Sequence, residues 1–269
     1  MNRHPAGDAL LAASLLVSAC GSSPQPPQAM EGQRFGLMTS LPIYRAPQAS
    51  VADALRSGAG QDETRHWLRA ELEADNTLAP IDLLDRASLA QTDILLLIQP
   101  HALTPTEYVA LDEWVRGGGQ VFLVADPMLS GEPRFALGDP RNPQAIALTG
   151  PIHARWGLQL VADEGGRGPQ GHGAHAHGKD GDGAEQAMPA GPDGVPVILG
   201  GTFEKRPAAG GDPADCELHY EGLVAVCTIG AGRAVLMADA TIFESERETG
   251  EGVGIFWSLL GMLGDATAD

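Results

Sequence analysis

Residues 94–98, Ile-Leu-Leu-Leu-Ile, form an unbroken apolar run with no polar face to offer to water. Five large aliphatic residues in succession fit a strand covered on both sides, the situation of an interior strand in a parallel sheet. The residues that follow specify a helix. Thr104 is a good N-cap, Pro105 suits the first helical position, and Glu107 completes a capping box. Leu103 and Tyr108 are placed for a hydrophobic staple, while Tyr108, Leu111 and Val115 recur at helical spacing as a buried stripe. Gly117-Gly118-Gly119 ends the helix, and Val121 to Ala125 is a second buried strand. Strand, crossover helix and strand make a βαβ unit, whose crossover should be right-handed.

The same pattern extends in both directions. Gly36-Leu37-Met38 lies in a short strand, and Glu63 to Ala74 is an amphipathic helix with Trp67, Leu68 and Leu72 inward. Ala79 to Leu84 is read as a strand, Ala234 to Ala238 as another, and Val253 to Leu263 as an apolar helix. The predicted class is α/β, a mostly parallel sheet between helices, with a C-terminal β-hairpin and a long disordered loop. The chain divides into a leader at 1–19, a flexible tether at 20–32 and one α/β domain at 33–264, interrupted by a Gly/His-rich loop at 163–194.

That hairpin lies in Cys216-Glu-Leu-His-Tyr-Glu-Gly-Leu-Val-Ala-Val-Cys227, turning at Glu221-Gly222. With a two-residue loop, Tyr220 pairs with Leu223, and Cys216 then stands opposite Cys227. Cross-strand neighbours lie about 4.5–5.5 Å apart at Cα, within reach of a disulfide. A disulfide is the preferred reading, two buried thiols the alternative, and the pair is structural in either case.

The leader points to export. Arg3 and the amino terminus precede an apolar run from Ala9 to Ala19, about half of the roughly 20 residues that a membrane-spanning helix needs. The run closes with Val17-Ser18-Ala19-Cys20, which resembles the bacterial lipobox. The resemblance implies diacylglycerol attachment to Cys20 and a periplasmic, lipid-anchored protein. An ordinary secretory signal is the alternative. Gly21 in place of aspartate, by similarity to lipoprotein sorting signals, points to the outer membrane. A net charge of −18, with Lys179 and Lys205 the only lysines, disfavours nucleic acid and anionic lipid head groups as partners. Membrane contact is therefore expected through the lipid anchor.

The segment from Asp93 to Met128 resembles the core of the GldG-type auxiliary domain of uncharacterised ABC transport systems. In both, a strand runs into a proline, a Leu-Thr…Glu…Leu-Asp…Trp-Val…Gly-Gly helix follows, and the next strand ends in Asp-Pro. Ala154-Arg155-Trp156-Gly157-Leu158 is similar to that family's Trp-Gly-Leu element, and Gly230 to Asp239 to its Gly-x-Gly-Arg strand ending in aspartate. The resemblance implies a three-layer fold like that of the class I glutamine amidotransferases or flavodoxins. It also implies a non-catalytic accessory or scaffold role in an ABC-type transport or gliding-motility-like envelope complex, with a permease and ATPase as partners. Relatives are typically longer and carry transmembrane helices, where this chain has the lipobox-like Cys20.

Catalytic signals are absent from the sequence. No strand end offers a nucleophile on a sharp turn, no Gly-x-Ser-x-Gly, phosphate-binding loop or His-Glu-x-x-His occurs, and no cofactor is expected. Ligands of open α/β sheets bind beyond the carboxyl ends of the strands. His101, Asp126 and Asp239 are accordingly the candidate ligand- or partner-binding residues, with loop capping as the alternative role for the aspartates. His172, His175 and His177 fall within six residues of the Gly-rich loop, close to Asp180 and Asp182. Neutral imidazoles at that density can share Zn²⁺, Cu²⁺ or Ni²⁺, which makes a periplasmic metal-binding lipoprotein the alternative function.

Overall fold

The computed structural model describes residues 30–45, 65–131, 133–162, 200–210, 213–245 and 252–264. The leader, Cys20, most of the tether, the loop at 163–194 with His172, His175 and His177, and residues 246–251 lie outside the described residues. Among the described residues, no helix is long and apolar enough to cross a membrane.

Strands β1 (Arg34–Thr39), β2 (Thr77–Pro80), β3 (Ile94–Ile98) and β4 (Gln120–Val124) alternate with helices α1 (Trp67–Asp75), α2 (Arg86–Leu89) and α3 (Pro105–Arg116). Helix α4 (Gly150–Trp156) leads into β5 (Leu158–Ala162) and β6 (Gly201–Lys205). Strands β7 (Asp215–His219), β8 (Val224–Ile229) and β9 (Gly232–Met237) precede helices α5 (Thr241–Glu244) and α6 (Gly252–Gly261). One sheet has seven strands in the order β2-β1-β3-β4-β9-β8-β7. Neighbours from β2 to β9 pair in parallel, and β8 and β7 add antiparallel at one edge. A separate two-stranded sheet pairs β5 with β6.

All five residues of β3 are buried. At the start of α3, the Thr104 side chain accepts from the Glu107 amide while Glu107 accepts from the Thr104 amide, and Pro105 stands in the first turn. Glu107 has a second task, accepting from the Leu84 amide at 3.1 Å. Leu111 and Val115 are buried; Tyr108 is half-buried, because its hydroxyl reaches out to donate to the Leu148 carbonyl at 2.6 Å. Helices cover both faces of the sheet. Phe122 of β4 meets Phe243 and Phe256 edge-on, placing α5 and α6 on its side. The opposite face receives α3, whose last turn lies against Gly232.

One expectation requires correction, and some elements come only from the structure. The strand read at Ala79 to Leu84 runs instead from Thr77 to Pro80. Ile81 and Leu84 are buried from the connecting segment, so their apolar character reflects core burial and not a strand period. The β5–β6 sheet and helix α4 had no counterpart in the sequence reading.

The hairpin turns through Tyr220, Glu221 and Gly222, with φ values of 50°, 55° and 92°. Cys216 pairs with Cys227 across β7 and β8, and the two are joined by a disulfide. A loop closed over a sequence separation of 11 limits the unfolded chain by about 3 kcal/mol in the chain-entropy model.

Candidate functional site

The carboxyl ends of β1, β3, β4 and β9 all lie at one edge of the parallel sheet, and a chain of polar groups runs along it. Gln99, the first residue past β3, has a φ of 44°. It is fully buried, and its side chain is held by three hydrogen bonds. The amide nitrogen donates to the carbonyls of Asp126 at 3.1 Å and Gln144 at 2.9 Å, and the amide oxygen accepts from the Asp126 N–H at 2.8 Å. Ser40, just past β1, donates through its hydroxyl to the Gln99 carbonyl at 2.6 Å and accepts from the Gln144 N–H at 2.8 Å. These bonds clamp the segment after β4 onto the ends of β1 and β3.

Asp126 continues the chain toward β9. One carboxylate oxygen accepts from the Met128 N–H at 2.8 Å, the other from the Ala240 N–H at 2.9 Å. Asp239 accepts from the Thr241 N–H at 2.8 Å, closing the turn into α5. Both aspartates are completely buried and spend these contacts on main chain, so neither stands in the open cleft where a ligand-binding role would place them. His101 does line that cleft and is exposed.

The cleft, of about 1150 Å³, opens beyond the ends of β1 and β3, between them and the segment 129–145. Arg45, Arg134 and Arg141 lie in its lining with His101, Asp82, Asp139 and Glu244. Arg141 bonds both oxygens of Asp139, at 3.0 and 2.7 Å, and its guanidinium sits 3.9 Å over the Phe135 ring. The bonds from Arg141 draw the Asp139 carboxyl down to about 2. Glu244 accepts from the amide and hydroxyl of Ser130 at 3.2 and 3.1 Å and from the Gly131 amide, tying α5 to the cleft wall. The Arg141–Asp139 pair, stacked on Phe135, gives one wall of this mainly apolar cleft a fixed polar feature. Among the described residues, no group of three or more His, Cys, Asp or Glu is arranged to hold a metal.

Burial pushes the Asp126 carboxyl up to about 6, with Glu244 adding in the same direction against the two N–H groups that favour the charged form. A carboxyl raised on folding stabilises the native state fully below its unfolded value near 4, and that contribution is lost as pH rises through 6. The stability difference between wild type and Asp126→Asn should therefore fall by about 3 kcal/mol from pH 4 to pH 7.5. Urea unfolding at several pH values measures it, and a difference independent of pH would refute the assignment.

Gln99 is a residue of this edge that the sequence does not single out. Its only sequence signal is its place between a buried strand and Pro100, and its partners Asp126 and Gln144 are remote in the chain. The Leu111-Asp112 and Arg155-Trp156 segments meet in space: Asp112 of α3 accepts from Arg155 at 3.0 Å and from the Trp156 indole at 2.9 Å.

The sequence matches no family model and none of the curated proteins. Among solved structures, the mmIFT52 N-terminal domain is similar at 13% identity and a TM-score of 0.45, over 75% of this chain and 90% of that one. The exo-beta-1,4-mannosidase Op5Man5 from Opitutaceae bacterium strain TAV5 follows at 14% identity and a TM-score of 0.42, over 88% and 36%. A beta-galactosidase from Bacillus circulans sp. alkalophilus shows 10% identity and a TM-score of 0.39, over 86% and 30%. The chain spans about a third of each glycosidase. Likeness at this level carries no statement about activity or substrate.

Proposed function

We propose that this chain is a non-catalytic, lipid-anchored accessory domain serving an ABC-type transport or envelope complex from the periplasmic side of a bacterial membrane. In this reading Cys20 carries the lipid, and the domain has the three-layer architecture of the GldG-type and glutamine amidotransferase-like proteins. The observation that supports its non-catalytic part is the use of Gln99. Enzymes built on such sheets place a nucleophile on the sharp turn that ends a central strand. Here that turn, with its left-handed backbone, holds an amide whose donor and acceptor atoms are all engaged in clamping neighbouring segments. Asp126 beside it is likewise engaged in main-chain bonds. The chemistry available at the strand ends is structural, which leaves the polar-rimmed cleft as the surface for a protein partner.

Affinity purification of the tagged chain from detergent-solubilised membranes, followed by mass spectrometry, tests the reading. An ABC ATPase and permease should be enriched, and both should be lost from the Cys20→Ala variant. Recovery of neither with the lipidated chain would overturn the transporter assignment.

A further inference from the structure

We draw no further inference here: the strongest candidate, the open, mainly apolar depression between helix α4 and strand β5, beside which His153 is buried with no hydrogen-bond partner among the described residues, carries nothing, because the imidazole nitrogens have no surface open to it and nothing in the structure shows what covers it.

Discussion

Gly232→Val is expected to destabilise the domain by at least about 3 kcal/mol, the upper range of overpacking. A Cβ at Gly232 would fall inside the van der Waals envelope of the Val115 and Gly119 carbonyl oxygens, which are backbone atoms. No side-chain rotation relieves such a contact. The seam is also bonded along its length: the Ala231 N–H donates to the Arg116 carbonyl at 3.0 Å and the Arg233 N–H to the Gly119 carbonyl at 3.1 Å. Relief would require α3 to lift from β9, breaking these bonds and exposing Val115. A domain holds only about 5–15 kcal/mol in total, so the loss is a large fraction of it. Urea unfolding provides the measurement, with Thr228→Val, at an exposed site on β8, as a control expected within about 0.5 kcal/mol of wild type. A Gly232→Val variant as stable as that control would show that the seam yields more easily than its geometry allows.

Phe256→Ala should cost about 3–5 kcal/mol, the range for emptying a buried aromatic site. The Phe256 ring is fully buried where α6, α1, α5 and β4 converge. It lies 6.3 Å from Trp67, 5.9 Å from Phe122, 6.3 Å from Phe243 and 5.1 Å from Trp257. Most of these contacts are edge-on, the arrangement in which aromatic pairs add to simple burial. Truncation removes one ring shared by four neighbours, and the rigid elements around it cannot close the gap. The thermal midpoint should fall by roughly 10 °C, with Phe256→Leu recovering most of the loss. A drop of only a degree or two would mean that α6 is not an integral part of the core.

What could be read from the chain alone was local. Thr104, Pro105 and Glu107 are near neighbours in sequence, and their capping bonds depend on little else. The run Ile94 to Ile98 declares its own burial, because no polar residue interrupts it. The Cys216–Cys227 pairing follows from hairpin arithmetic about a turn of known place. The strand at Ala79 to Leu84 was misplaced because Ile81 and Leu84 are apolar for a reason that has no period: they fill gaps in the core from a connection.

The site was less legible. The places of Asp126 and Asp239 after buried strands marked them as groups at the sheet edge. Their partners are amides that only the assembled sheet brings near, among them Ala240, 114 residues from Asp126. Gln99 could not be distinguished from any surface glutamine until Asp126 and Gln144 closed around it.

Local hydrogen-bonding and hydrophobic period thus settle the α/β character of this chain, the βαβ unit around α3 and the hairpin, because each rests on residues a few positions apart. Tertiary structure alone decides the strand order, the pairing of β5 with β6, the cleft and the isolation of His153. Those features depend on which distant segments exclude water from one another. Burial turns an aspartate into a structural clamp and, among the described residues, leaves an imidazole without a hydrogen-bond partner, and no pattern within the sequence of either neighbourhood encodes it.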